Sequence, residues 1–203
     1  MRPALLILAG YVLGSISPAY HLCRLLRSCD LRTLDSGNLG ARNAGRVLGT
    51  WAGVLVLVLD GAKGYAAVGI AQLAGESGWL AATGGAPGWL AVACGAAAVV
   101  GHNWPFYLGF RGGRGAATVA GAGLALLPLE MALGLVACFV ILKTVHSLYI
   151  GGLVAIAGST ALALFLGRGG YIAWSPVLLC IPLLLRHLPD ITLHIQDRRR
   201  RIP

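Results

Sequence analysis

The chain has 203 residues, of which 57% are hydrophobic and only 11% charged, with a mean hydropathy of +0.78 and a formal net charge of +9. Apolarity on this scale excludes an ordinary soluble domain and implies an all-α, polytopic integral membrane protein. Apolar runs long enough, or nearly long enough, to cross a hydrocarbon layer of roughly 30 Å predict about seven transmembrane helices.

They fall near residues 4–23, 51–74, 86–105, 115–128, 130–145, 149–166 and 171–187. The first carries Gly10, Gly14, Ser15 and Ser17 ahead of Pro18, small residues that let neighbouring helices approach. It runs on without a small-x-small cleavage context, so it is read as a retained span rather than a signal peptide. Next comes the longest polar segment, Arg24 to Thr50, rich in Gly, Asn and Arg and poor in Glu and Lys. Ser36, Asn38, Asn43 and Arg46 supply hydroxyl, amide and guanidinium donors there, and a binding loop is favoured over a merely solvated one.

The second span holds Asp60 and Lys63, three residues apart on one helical face. Charges inside a bilayer cost at least about 2.5 kcal/mol each when unpaired, so both should face the bundle interior. The pair either neutralises itself or forms part of a proton or ion path, which would require further charged pairs in other spans. Glu76 and Glu130 sit at expected outer helix ends, where a carboxylate is cheap. Trp79 to Gly88 reads as an external loop.

Gly101 to Thr118 joins the third and fourth spans and packs His102, Arg111, Arg114 and several glycines into one turn. The glycine N–H groups of Gly112, Gly113 and Gly115 suit close approach to phosphate oxygens, with arginine forks beside them and a helix N-terminus following. The alternative is a glycine-rich turn whose arginines lie in lipid headgroups. It is not a nucleotide P-loop, because no Lys-Ser/Thr pair follows. Pro128 separates the short fourth and fifth spans, and a kinked or re-entrant hairpin is the other reading there. Lys143, His146 and Ser147, and later Arg186, His187 and Asp190, return to the same face. Five cysteines with no C-x-x-C spacing, Cys23, Cys29, Cys94, Cys138 and Cys180, suggest neither a disulfide framework nor a metal site.

Thirteen of the sixteen Lys and Arg fall on one side if the N-terminus lies outside, among them Arg24, Arg27, Arg32, Arg42 and Arg46 and the tail Arg198 to Arg201. The positive-inside bias then places the polar loops and the C-terminus in the cytoplasm, with the arginine tail on anionic lipid rather than nucleic acid. Four segments converging there with many cations and few acids point to a phosphorylated substrate beside apolar walls for a lipid chain.

The motifs Ser36-Gly-Asn38-x-Gly-Ala-x-Asn43-x-x-Arg46, Asp60-x-x-Lys63-Gly64 and Gly101-His102-x-x-Pro105-x4-Phe110-Arg-Gly112-Gly113-Arg114-Gly115-x-Ala-Thr118 resemble the acyl-phosphate-dependent glycerol-3-phosphate acyltransferases of bacterial membranes. The likeness runs from about Gly14 to Ile191. It implies one membrane domain over 1–203, with a basic tail from about 188, in the bacterial inner membrane. It also implies transfer of a fatty acyl group from acyl phosphate to the 1-hydroxyl of glycerol 3-phosphate, without metal, cofactor or coenzyme A.

By that resemblance the catalytic candidates are Ser36, Arg46, His102, Arg114 and His187. Asn38, Asn43, Gly112, Gly113, Gly115, Ser147 and Asp190 are the substrate-binding ones. Arg114 stands where the family has lysine, Arg42 where it has threonine and Asp190 where it has asparagine, and the family's closing motif is replaced by the arginine run. Two other readings stay open: a diverged relative with a different acceptor, and an anion transporter. The transporter predicts internal repeats, and none is visible between the halves.

Overall fold

The computed structural model describes residues 2–76 and 88–200, with side-chain surroundings as far as residue 188. The proposed external loop from Trp79 lies outside the described residues up to Gly88, and so does Arg201. Among the described residues all regular structure is helical: α1 (Arg2–Ser15), α2 (Pro18–Arg27), α3 (Ala41–Leu48), α4 (Thr50–Glu76), α5 (Gly88–Asn103), α6 (Ala116–Leu126), α7 (Pro128–Thr144), α8 (Leu148–Phe165), α9 (Gly170–Ala173) and α10 (Ser175–Arg200).

Among the described residues each predicted apolar run is mostly helical. Three stretches among the described residues are long and apolar enough to cross a membrane: α1 with α2, Thr50–Gly75 and Leu148–Phe165; Ala116–Leu126 and Ser175–Leu188 are shorter apolar helices. Two runs are broken. At the first, Pro18 has no N–H to return to the Gly14 carbonyl, and Ser17 caps α2 by accepting from Tyr20 N. In an uninterrupted helix Tyr20 N would have served the Ile16 carbonyl, so the cap leaves that carbonyl in need of another donor. The last run splits at Trp174 into α9 and α10, and α10 then continues past the predicted end at 187 to Arg200, since no glycine follows Gly170 to stop it.

Packing is by seams of small residues. The most extensive contacts pair α1 with α5, α4 with α6 and α7 with α8. On the first seam a Cβ at Gly10 would lie 2.7 Å from the Cys94 carbonyl, and one at Gly14 would strike the Ala98 backbone. On the second, Gly64 lies against Thr118 and Gly121 against Gly61. In a bilayer, where apolar burial gains little over lipid, such backbone approach is what holds helices together.

Two apolar clusters result. One surrounds α5 through Leu90, Val99, Leu126 and Leu179. The other lies under the segment from Arg24 to Thr50, where Leu31, Leu39, Leu48, Val56 and Leu108 bury one another.

Three sequence expectations need correction. The polar segment is not all loop: its end forms α3, whose Ala44 and Leu48 face the second cluster. Cys23 and Cys29, six residues apart with Cα atoms 5.4 Å apart, are joined as a disulfide, because the left-handed Ser28 at the α2 C-cap folds the chain back on itself. Cys94, Cys138 and Cys180 are free. Glu130, expected at a cheap outer position, is fully buried in the first turn of α7 and accepts from Arg168 Nε at 2.9 Å. Helix seams around that turn close over it, which apolar counting along one helix does not show.

Candidate active site

The turn after α5 is the hub. Gly109 and Phe110 take left-handed backbone, and the chain doubles back so that Gly112 N donates to Asn103 O at 3.1 Å and Gly113 N to His102 O at 3.0 Å. Those two amides are therefore spent inside the turn, and the expectation that they would meet a phosphate is corrected. The glycines serve close approach instead. A Cβ at Gly113 would overlap His102 Nε2, and one at Gly115, whose φ is +82°, would lie 2.8 Å from Asn103 Oδ1. Gly115 then opens α6 without a side-chain cap. The first intrahelical bond is from Val119 N to Gly115 O, so the amides just ahead of it have no carbonyl of their own helix to meet and stand at the positive end of the helix dipole.

Behind this turn lies a buried charged group. Lys63 Nζ is 2.8 Å and His102 Nδ1 3.2 Å from the same atom, Asp60 Oδ1, and all three side chains are almost wholly enclosed. Neither contact has hydrogen-bond alignment at that oxygen. Lys63 also donates to the Ile16 carbonyl at 2.8 Å, the carbonyl left over at the α1–α2 break. Sequence alone showed Asp60 and Lys63 as a pair. The third member comes from α5, and only the fold brings it in.

The segment from Arg24 to Thr50 is pinned to the hub from the other side. Arg32 forks onto Asp30, with Nη2 to Oδ2 at 2.7 Å, and sends Nη1 to the Leu108 carbonyl at 2.8 Å. That Arg32 hydrogen bond holds the Asp30 carboxyl below the usual range, and Asp30 raises the Arg32 guanidinium in return. Tyr20 is flanked by Arg24 and Arg32, each guanidinium carbon 5.5 Å from the ring centre. His21 and the backbone N of Ser17 both meet Tyr107 Oη, at 3.2 and 3.1 Å, and burial pushes that phenol up.

Within that segment Asn43 is fully buried and its amide donates to three carbonyls, of Leu31, Leu34 and Asn38, so its contacts shape the loop. Ser36 is exposed at the turn tip, between the left-handed Asp35 and Gly37, and Asn38 is half-buried beside Gly40. Arg46 is exposed on α3 and pairs with Asp35 at 2.8 Å.

The far helices close on the same hub. Asn103 Nδ2 donates to the Pro182 carbonyl at 2.9 Å, and Arg186 Nε to Gly113 O at 3.4 Å. His187, one residue on, meets the Leu183 carbonyl through Nδ1 and lies edge-on to Tyr149, ring centres 6.0 Å apart. Ser147 is the N-cap of α8, its hydroxyl accepting from Ile150 N at 3.3 Å, which leaves its proton available to another acceptor. Arg114 is half-buried between Gly113 and Gly115. Asp190 lies on α10, beyond the described side chains. The central turn thus joins the Arg24–Thr50 segment and α10, with α8 reached through His187; Arg46 is exposed and paired with Asp35, and Ser36 is exposed on its own turn.

A groove of about 490 Å³ opens between the α1–α2 break and α4. Its wall is almost entirely apolar, with Leu13, Ile16, Leu22, Leu55 and Leu59, and both His21 and Lys63 reach it. Lys63 is therefore shared between the groove and the group that backs the glycine turn.

A family model described as Glycerol-3-phosphate acyltransferase matches residues 4–197. The chain belongs to that family. Among curated relatives, the glycerol-3-phosphate acyltransferase of Shouchella clausii is 40% identical over 89% of this chain and 86% of its own length. That of Anaeromyxobacter sp. strain K is 36% identical over 98% and 96%. The match to the Halalkalibacterium halodurans protein, 44% identical, is shorter and spans 59% of that protein. Two solved structures of PlsY, an integral membrane glycerol 3-phosphate acyltransferase, superpose with TM-scores of 0.78 and 0.77 at 27% and 26% identity, covering 98% of this chain and 94% of theirs. One is described as the glycerol 3-phosphate form and the other as the lysophosphatidic acid form.

Proposed function

We propose that this chain transfers a fatty acyl group from acyl phosphate to the 1-hydroxyl of glycerol 3-phosphate, releasing 1-acylglycerol 3-phosphate and inorganic phosphate. The reaction takes place at the cytoplasmic face of a bacterial inner membrane, with seven spans, the N-terminus outside and the C-terminus inside. The observation that carries the reading is the shared wall: an apolar groove at the α1–α2 break meets, through Lys63, Asp60 and His102, a basic glycine turn at the start of α6. A greasy slot beside an anion-binding turn suits a substrate with a long chain and a phosphate head. Family membership, and relatives solved in glycerol 3-phosphate and lysophosphatidic acid forms, support the acceptor and product.

Acyl phosphate is already an activated mixed anhydride, so the protein has to orient it and stabilise charge. The acceptor oxygen attacks the acyl carbon. The bond to the phosphate oxygen breaks with its electrons, and the hydroxyl proton passes to the departing phosphate. Arg46, Arg114 and the first amides of α6 meet that phosphate; Ser36, Asn38 and Ser147 border it, with Asn43 shaping their loop, and His187 faces the acceptor. Arg46 exchanges Asp35 for the substrate anion.

Purified protein given palmitoyl phosphate and radiolabelled glycerol 3-phosphate tests this. Product formation is expected to fall about 100-fold or more in Arg46→Ala and Arg114→Ala, to survive in Arg114→Lys, and to survive in Ser147→Ala and in the cysteine variants. Loss in Ser147→Ala with a trapped acyl-enzyme would overturn direct transfer. Asp190 favours one variation on this reading, a drifted acceptor site; it predicts that Asp190→Asn raises activity on glycerol 3-phosphate.

A further inference from the structure

The geometry points to Asp60 and Lys63 as positioning residues that set the glycine turn through His102, an inference that rests on the proposed acyl transfer for its kinetic readout but not for its structural one. Three elements meet in the group. Asp60 and Lys63 project from α4, His102 from the end of α5, and the Ile16 carbonyl from the α1–α2 break. Each contact is between buried partners or to a carbonyl that the helix break has freed, so none is exchangeable with water at low cost.

His102 translates this group into turn geometry. Its Nδ1 faces Asp60 while its Nε2 occupies the space that a side chain at Gly113 would fill, and its own carbonyl takes the Gly113 amide. The imidazole thus has the carboxylate 3.2 Å from one edge and the turn packed against the other. Rotating it would either push Gly113 outward or break the backbone bond that closes the turn. Gly113 immediately precedes Arg114 and, through Gly115, the first amides of α6. Asp60 touches none of these groups, yet it fixes the ring that does. Lys63 neutralises the carboxylate and ties it to the α1–α2 break, where the groove wall begins. This gives the otherwise unexplained intramembrane charges a role in the reaction without making them part of its chemistry.

The decisive variants are Asp60→Asn, Lys63→Met, the double Asp60→Asn/Lys63→Met, His102→Asn and His102→Ala, each in detergent micelles. The single changes leave a buried charge uncompensated and are expected to melt earlier; the double change removes both charges and recovers most of the melting temperature. Despite that recovery, the double variant is expected to turn over palmitoyl phosphate about 100-fold more slowly, because an ångström of misplacement at a reacting centre costs on that order. Its backbone amides over residues 111–118 should exchange hydrogen faster than in the native protein. His102→Asn keeps a donor at the Nδ1 position and should retain more turnover and more amide protection than His102→Ala.

A double variant with native turnover and native exchange over 111–118 would sink the proposal, as would equal losses in His102→Asn and His102→Ala. Native protein that makes no acylated product at all would instead count against the proposed reaction, and the exchange measurement would still decide the positioning role.

Discussion

At the scale of single residues, the polar side chains here divide by whether they answer to the backbone or to solvent. Asn43 turns its amide nitrogen to three carbonyls while its Oδ1 has no hydrogen-bond partner, and Gly112 and Gly113 use their amides to close a turn. Arg46 and Ser36, by contrast, are exposed to solvent, Arg46 pairing with Asp35. Asp30 stands between these classes, since it orients Arg32, and Arg32 is what ties its segment to Leu108. With the Asp30 carboxyl held below its ordinary value by Arg32, the contact contributes stability above the unfolded-state value of about 3.9 and loses it as pH falls through the lower folded-state value. Asp30→Asn should therefore lower stability at pH 7 by about 1 kcal/mol, allowing for screening at a partly exposed site. The gap between native and variant melting temperatures should stay constant from pH 7 to pH 5 and close below about pH 4. A gap that widens on acidification would contradict the assignment.

At the scale of elements, the helices follow from apolar run length, which is why the runs from 4–23 to 171–187 are mostly helical among the described residues. The joints were less legible. Pro18 was visible in the sequence, but that the break frees the Ile16 carbonyl for Lys63 depends on a helix 47 residues away. The α3 helix was hidden because its polar outer face matches the loop around it, and Cys23 and Cys29 because their pairing depends on the left-handed Ser28. What the sequence did state plainly was the small-residue seam, and it separates glycines that are needed from those that are not. Gly14 lies against the backbone of Ala98, whereas a Cβ on Gly69 would meet nothing within 4 Å. Gly14→Ala should then cost about 1–3 kcal/mol by forcing α1 from α5, while Gly69→Ala should gain about 0.5–1 kcal/mol from helix propensity alone. Thermal unfolding of the two variants in the same detergent would reveal the difference, and equal effects would mean that the α1–α5 seam yields freely.

Across the whole molecule, the two wholly buried carboxylates among the described residues, Asp60 and Glu130, sit on different helix seams and are handled differently. Asp60 is enclosed with its partners, as suits a group that must hold one geometry. Glu130 is enclosed alone: Arg168 reaches it while remaining half exposed, and Ser159 binds the Glu130 carbonyl across the α7–α8 seam at 2.9 Å. Its other carboxylate oxygen, Oε2, has no hydrogen-bond partner, so the carboxylate depends heavily on one guanidinium. This contact ties the start of α7 to the link between α8 and α9. Removing Arg168 alone strands a buried anion, and the loss should be about 1.5–3 kcal/mol, the scale of a hydrogen bond to a charged group. Removing both charges together in Glu130→Gln/Arg168→Gln should cost less than the sum of the single changes, because the stranded charge is gone. A double-mutant cycle read by thermal unfolding measures that coupling. The Michaelis constants of the proposed reaction should not move, since the pair anchors the α7–α8 seam and touches no residue of the turn. Strict additivity in the cycle would show that the Glu130 carboxylate is held by its surroundings rather than by Arg168, and a shifted Michaelis constant would show that the seam and the site move together.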